Sequence, residues 1–579
     1  MAILGVDVGG TFTDAALLDG DELRTAKVPT APRQEESVLA AAAAVGAGAL
    51  ERFTHGTTIA TNALLERRGA RTALVATAGF EHVLHLRRQD RAHLYRLCAQ
   101  HPEPLVPLER CVGVPGRMGP EGELAPVGVD RIPDLSDAEA IAVCLLFSFR
   151  DASHERVVVE ELRRRHPDAF VVASHESAPE FREYERASTT VADAYLGPLL
   201  GRYLHALATR CREGGLPEPL IMRSSGGVAS VEEAASHAAR ALLSGPAAGV
   251  VGAARVAALA GVENAIAFDM GGTSTDVCAI VGGEATRSSE RLVGGLPIRL
   301  PTLDVHTVGA GGGSIVWRDP GGALRVGPQS AGAEPGPACY GRGGELPTVT
   351  DANLLLGRLP ATLAGGLDLD RDAAERALAS VGAAPGDVID VVNAEMLAAL
   401  RVVSVERGLD PRDFALVAFG GAGALHACAL ADELEIGTVL VPEAAGVLSA
   451  LGLALGDERR DEVRSVVVPL AEADLPAEGE ADIRYVGQSF ELTVPLGGDV
   501  AESFHAAHEQ RYGWRNRRLP LELVALRTVR VVPGPPYAGV QRPSRTAGTG
   551  VIELDGSTAW IPKGWQGEWR DGSLVVTRW

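Results

Sequence analysis

The sequence predicts an α/β protein built from two related domains, followed by a small C-terminal α+β domain. Three observations carry this. The octet Asp7-Val8-Gly9-Gly10-Thr11-Phe12-Thr13-Asp14 returns as Asp269-Met270-Gly271-Gly272-Thr273-Ser274-Thr275-Asp276 with six of its eight letters unchanged, and a repeat so widely spaced marks two halves rather than stacked short units. Apolar strand-like runs that meet Gly-rich turns and then helical patterns recur in both halves. After about residue 461 the pattern changes to short strands around one helix.

The elements follow in order. Ile3 to Val8, Asp14 to Leu18 and Glu22 to Val28 read as a meander of strands separated by Gly-rich or Asp-Gly turns. "QEESVLAAAAAV" (34 to 45) reads as a helix, because its acidic first turn suits the positive end of the helix dipole. "TALVATAG" (72 to 79) and "IAVCLLFSF" (141 to 149) are short, apolar and bounded by breakers, as buried strands are. Between them, at about 80 to 135, Pro and Gly thicken into a loop-rich insertion. The pattern restarts with "PLIMRSSGG" (219 to 227), "AIAFDMGGTSTDVCAIV" (265 to 281) and "TVGAGGGSI" (307 to 315), then "FALVAFGGAGALHACALADEL" (414 to 434). We set the domain limits at 1–190, 191–460 and 461–579, the last ending in a Pro-rich stretch (533 to 545) and a β-like tail.

Bulk properties narrow the function. With 579 residues, 46% hydrophobic and 22% charged, the chain has enough apolar content for several packed cores. Its net charge of −21 argues against a nucleic-acid surface and against anionic lipid, both of which need clustered Lys and Arg. Apolar runs stay short of the ~18 residues that cross a bilayer, and the first strand begins beside the first Met, leaving no room for a secretory leader. The expectation is a cytoplasmic protein. Seven cysteines without a C-x-x-C pair fit reduced thiols rather than a disulfide framework or a zinc or iron-sulfur site.

Each octet places Gly-Gly between two strands, so the turn leaves backbone N–H groups pointing outward as an anion-binding nest. The Thr hydroxyls add donors. The leading Asp stands where it would hold Mg²⁺, which takes one or two carboxylates together with water and phosphate oxygens. Two such hairpins facing each other across a cleft would grip the phosphates of a nucleotide, whereas a single copy would read as an ordinary Asp/Gly turn.

The repeated Asp-x-Gly-Gly-Thr-x-Thr-Asp, with the later Gly-Gly-Ala-Gly, resembles the actin-like (ribonuclease H-like) ATPase superfamily. More specifically, "HGTTIATNALLERRGART" (55 to 72), "PEFREYERASTTVADAYL" (179 to 196), "LLSGPAAGVVGA" (242 to 253), "DVHTVGAGGGSIVW" (304 to 317), "VGPQSAGAEPGPACYGRGG" (326 to 344) and "DPRDFALVAFGGAGALHA" (410 to 427) resemble the hydantoinase A/oxoprolinase family. That resemblance covers residues 1 to 456 and implies two actin-like domains around an ATP cleft, with ATP and Mg²⁺ as cofactors. It implies a first phosphate loop of Asp7, Gly9, Gly10, Thr11 and Thr13, a second of Asp269, Gly271, Gly272, Thr273 and Ser274, and an adenosine contact at Gly420, Gly421 and Gly423. It also implies a cyclic amide or ketone as substrate and a separate B-type hydantoinase subunit as partner. A small-molecule kinase and a non-enzymatic, chaperone-like ATP switch are the rival readings.

The expected chemistry is phosphorylation of an amide oxygen, with Asp7 and Asp269 organising the metal or orienting water. On the substrate side the candidates are His55, which orients substrate or caps a turn, and Asp304 with His306, alternate strand residues that touch substrate or metal or else form a structural pair. His505 and His508, one helical turn apart with no carboxylate or Cys cluster nearby, read as a solvated helix face.

Overall fold

The computed structural model describes residues 2–20, 22–363, 366–540 and 545–579. The first sheet has six strands in the order Val228–Ala229, Leu220–Met222, Arg52–Thr57, Ala2–Val8, Phe12–Asp19, Glu22–Pro29. The meander predicted for the N-terminus is there, antiparallel throughout, and Arg52–Thr57 and Leu220–Met222 extend it in parallel with Ala2–Val8. Strands buried on both faces need not alternate, which explains why Ile3, Leu4, Gly5 and Val6 are buried in succession.

A second, all-parallel sheet lies between the fourth and fifth strands of the first in sequence: Phe170–Ala173, Ala140–Cys144, Thr72–Thr77 and Cys111–Val114. The region read as loop-rich therefore supplies an edge strand, Cys111–Val114. The limit placed at 190 falls inside the helix Glu183–Glu213, and the first sheet is completed only by residues 220–229. An unbroken helix that packs on both sides of position 190 leaves no room there for a linker.

The second half repeats the plan. Ala265–Met270 and Thr275–Val281 form an antiparallel pair, Ala415–Phe419 and Thr438–Pro442 continue in parallel, and Asp269 faces Asp276 as Asp7 faces Asp14. Beyond 457 the outcome is mixed. Glu458–Pro469, Glu480–Tyr485, Leu492–Pro495 and Leu521–Val532 form a separate four-stranded sheet with the helix Val500–Tyr512, the expected α+β domain. The tail departs from it: Ser573–Arg578 pairs antiparallel with Thr438–Pro442, and Trp565–Arg570 and Arg545–Ala547 follow, so the last strands widen the second large sheet. Part of the Pro-rich stretch, 541–544, lies outside the described residues. His505 and His508 are a second departure. They are 6% and 1% exposed, and His505 meets the Tyr485 hydroxyl at 2.8 Å, inside the core of the small domain.

Two helices, Ser244–Leu259 and Leu448–Leu455, cross between the halves in contact so close that only glycine fits. A Cβ on Gly452 would stand 1.9 Å from the Ala248 carbonyl oxygen, and one on Gly5 would stand 1.9 Å from that of Ala450. Backbone cannot yield as a side-chain tip can, so Gly452→Ala is expected to destabilise the protein by about 1–3 kcal/mol. A thermal melt against wild type checks this; an unchanged midpoint would show that the helices slide apart freely.

Candidate functional site

Both octets fold into the same hairpin. The Gly9 N–H donates to the Phe12 carbonyl at 2.9 Å and the Gly271 N–H to that of Ser274 at 3.0 Å, closing equivalent turns. Gly10 and Gly272 stand exposed at the tips, and a Cβ on either would meet nothing within 4 Å. Thr11 and Thr273 are exposed beside them. Thr13 and Thr275 are fully buried instead. The Thr13 hydroxyl bonds that of Thr30 at 3.0 Å and Thr275 donates to the Ala310 carbonyl at 2.6 Å, so these two shape the turns from behind. Ser274 is half-buried.

Asp7 is driven up to about 7, first by burial and then by Asp14, with Lys27 opposing. Asp269 is driven up to about 8 by burial, by Asp276, and by Asp7 and Asp14 from the other half. Asp7 and Asp14 thus reach Asp269 from the other half of the chain, and both leading aspartates are half-buried. Lys27 offsets them in part, pairing directly with Asp14, where its ammonium lies 2.6 Å from the carboxylate. The Asp7 Oδ1 atom is buried without a hydrogen-bond partner. Its surroundings are backbone: a Cβ at Gly56 would stand 2.7 Å from that oxygen, and one at Gly245, in the first turn of Ser244–Leu259, 3.6 Å from both carboxylate oxygens.

The second hairpin is held by two loops. Gly312 and Gly313 donate to the carbonyls of Gly271 and Gly272 at 3.0 and 2.7 Å, and Thr350 fixes Gly312 through its hydroxyl at 2.8 Å. On the other side, the Ala422 N–H donates to the Met270 carbonyl at 2.9 Å. Gly420 has φ +79, and a Cβ there would stand 2.3 Å from Asp269 Oδ1, so glycine is required twice over. Gly423 opens the helix Gly423–Glu433 against the Phe268–Met270 backbone, and Gly421 is exposed with open space around it.

The substrate-side candidates fare differently. His55 is 0% exposed; Nδ1 lies 3.1 Å from the Val6 carbonyl, Nε2 lies 2.8 Å from the Tyr203 hydroxyl, and burial pushes its pKa down to about 4. A neutral ring with both nitrogens occupied inside the core cannot meet a ligand in the cleft. His55→Leu is therefore expected to lower stability by about 1–3 kcal/mol by orphaning buried polar groups, and in the protein that remains folded to leave the pH profile of turnover unchanged. A shifted profile would return His55 to the chemistry. Asp304 is held by Arg407 at 2.6 Å, an ion pair rather than a free carboxylate. In the strand register Thr307, not His306, sits beside Asp276, donating to it at 2.5 Å, while His306 sits beside Val277 and so on the opposite face.

The groups missed from sequence are Asp14, Asp276 and Lys27. The two aspartates close the quoted octets, so a signal was present; Lys27 joins the site only through its cross-strand register with Asp14. Among the described residues no three His, Cys, Asp or Glu side chains form a metal-ligand cluster. An unpartnered oxygen on Asp7 and a second raised carboxylate on Asp269 fit a cation that takes one or two carboxylates and completes its shell elsewhere, as Mg²⁺ does.

The family described as Hydantoinase/oxoprolinase matches residues 186–462, and its N-terminal region matches residues 3–166. The caprolactamase subunit alpha of Pseudomonas jessenii is 36% identical over 90% of this chain and 86% of its own. The acetophenone carboxylase gamma subunit of Aromatoleum aromaticum is 34% identical over 78% of this chain and 68% of its own. The crystal structure of the ATP-dependent caprolactamase from Pseudomonas jessenii superposes with a TM-score of 0.88 at 31% identity, covering 99% of both chains. No helix among the described residues is long and apolar enough to cross a membrane. With its paired aspartate hairpins, its two-domain α/β fold and family matches over residues 3–166 and 186–462, the chain belongs to the hydantoinase/oxoprolinase family.

Proposed function

We propose that this chain binds ATP between the two hairpins and transfers its γ-phosphoryl group to the carbonyl oxygen of a cyclic amide, a hydantoin, 5-oxoproline or a lactam. A B-type partner subunit completes ring opening. The observation that carries this reading is the duplicated hairpin itself, two open Gly-Gly tips each led by a raised aspartate, with Asp7 acting on Asp269 across the halves.

An amide carbonyl resists attack because resonance stabilises it. Phosphorylating its oxygen removes that resonance; water then adds at the ring carbon, expulsion of the protonated ring nitrogen breaks the C–N bond and opens the ring to an acyl phosphate, and a second water releases phosphate from it. For the protein, the transfer is a matter of positioning and charge neutralisation. Exposed N–H groups at Gly10, Thr11, Gly272 and Thr273 would cradle the phosphates, and the turn at Gly420, Gly421 and Gly423 would receive the adenosine. Asp7 and Asp269 would hold Mg²⁺, which when bound supplies charge neutralisation for the transferring phosphoryl group. Lys27, through Asp14, keeps part of the acidic cluster neutral.

The names of the relatives as subunits support a partner chain, and the acetophenone carboxylase relative supports a second reading in which the same transfer activates a ketone. The test is ADP release from Mg²⁺-ATP against hydantoins, 5-oxoproline, lactams, acetone and acetophenone, with and without a co-expressed B-type subunit. Stimulation by a cyclic amide supports the first reading and stimulation by ketones alone the second. ATP binding with no stimulation by any compound would leave a nucleotide-driven switch.

A further inference from the structure

A hairpin near the end of the chain returns to the Gly-rich turns. Gly550–Leu554 and Ser557–Ile561 pair antiparallel with Leu554 opposite Ser557, so Asp555 and Gly556 alone make the turn, with Gly556 at φ +68. Ser557–Ile561 packs on the helix Gly423–Glu433, which follows the Gly420-Gly421 turn directly. Further along, the Trp565 indole N–H donates to the Asp432 carboxylate of that helix at 3.3 Å. A turn carried by a strand docked in this way has a fixed place beside the second half.

The turn touches both halves of the molecule. The Ser557 hydroxyl, buried, donates to the Gly420 carbonyl at 2.8 Å. The Gly420 N–H is taken in turn by the Ala445 carbonyl at 2.9 Å, so both backbone polar groups of Gly420 are engaged. A peptide is planar and trans, so fixing the Gly420 carbonyl also fixes the Gly421 N–H, which points away from it across the same plane. Beside this contact the two segments meet backbone to backbone: a Cβ on Gly446 would stand 2.5 Å from the Gly556 carbonyl and 2.6 Å from the Asp555 carbonyl oxygen. In the first half, the Thr25 hydroxyl donates to the Asp555 carboxylate. Lys27, two positions along and on the same face of that strand, passes Gly556, where a Cβ would stand 3.7 Å from Lys27 Cε. Lys27 is the residue whose ammonium pairs with Asp14. One short turn therefore abuts the counter-charge of the first hairpin and holds the glycine that crowds Asp269 in the second.

We propose that Asp555, Gly556 and Ser557 are positioning residues of the nucleotide site: Ser557 orients the Gly420-Gly421 peptide for the nucleoside of ATP, and Asp555 ties that peptide to the strand that carries Lys27. This rests on the reading that ATP binds between the two hairpins and adds the C-terminal hairpin to its site. The residues act through Gly420 and Lys27 and not on the phosphoryl group itself. Their contribution is therefore to nucleoside affinity, with the phosphates left to the Gly-Gly tips.

The experiment measures calorimetric binding of Mg²⁺-ATP and of Mg²⁺-tripolyphosphate, which has the phosphates without the nucleoside, to the full chain as wild type, Ser557→Ala and Asp555→Ala. Asp555 is exposed, so Asp555→Ala keeps the test open should the buried Ser557→Ala fail to fold. The expected result is an ATP Kd raised about 10-fold in Ser557→Ala and about 3-fold in Asp555→Ala, the scale of one lost hydrogen bond, with tripolyphosphate affinity unchanged. A merely structural contact lowers the melting midpoint without moving ATP affinity apart from that of tripolyphosphate. An ATP Kd within about twofold of wild type in the folded variants, or an equal loss for both ligands, would overturn the positioning role and leave nucleotide binding between the hairpins standing. Wild type that binds neither ligand would remove the nucleotide reading, and the positioning role with it.

Discussion

Asp7→Asn and Asp269→Asn are each expected to lower ligand-stimulated ADP release by about a thousand-fold while leaving the fold intact, the scale seen when one preorganised electrostatic contact to a transition state is removed. The amide side chain keeps the size and hydrogen-bonding shape of the carboxyl but cannot bring charge to a cation. Steady-state ADP release at saturating Mg²⁺-ATP measures the loss, and turnover within tenfold of wild type in both variants would remove these carboxylates from the mechanism. A second readout has the opposite sign. Without divalent cation, Asp7 stands at about 7 and Asp269 at about 8, against an ordinary value of 3.8. A carboxyl that is raised on folding binds its proton more tightly in the folded state. Stability is therefore highest near and below pH 4 as far as these groups decide it, and declines as pH rises through 7 to 8. The Asn variants lose this decline, so in chelator at pH 8 each is expected to melt higher than wild type, by an amount on the order of 1–2 kcal/mol, as when a strained functional group is removed. Wild type melting above both variants at pH 8 would contradict the raised carboxyls at Asp7 and Asp269.

Glu180→Ala is the substitution expected to cost most in stability, about 3–5 kcal/mol. Its side chain is 3% exposed and its Oε2 accepts from Arg299 Nε at 2.8 Å and Arg527 Nη2 at 3.0 Å. Arg527 continues to Asp482 at 2.7 Å and Arg299 to Glu491 at 2.9 Å, and Glu491 also takes Arg182. The network ties the segment before the long helix, a hairpin of the second half and the C-terminal domain together. Removing the shared carboxylate leaves two buried guanidinium groups with one partner fewer each. Urea unfolding gives the magnitude, and limited proteolysis tests whether the C-terminal domain loosens first, since its docking depends on Arg527. A loss below about 1 kcal/mol would place the network among the weakly contributing ion pairs that surface bridges represent.

The C-terminal tail shows how far local pattern reaches. Its strands were visible as alternating apolar residues, but the partner of Ser573–Arg578 is Thr438–Pro442, more than a hundred residues earlier, and nothing local specifies such a pairing. His505 and His508 show the same limit. Their helical spacing was legible, yet which face of the helix Val500–Tyr512 is buried depends on Tyr485 and Trp514 arriving from other segments. His55 is a third case, since its place beside Gly56 and Thr57 drew attention while Tyr203, 148 positions away, decides that its ring is occupied.

The sequence by itself determined the duplicated strand-turn-strand units, the Gly-Gly tips and the aspartates that lead them, because a tight turn with open N–H groups is specified by residues a few positions apart. It also carried the family, through motifs spread along most of the chain. Only the tertiary structure decided that Asp7 and Asp14 of the first half act on Asp269 of the second, and that Lys27 and Gly245 belong to the site. Those facts are sums of burial and electrostatics over segments hundreds of residues apart, and such sums exist only once the chain has packed.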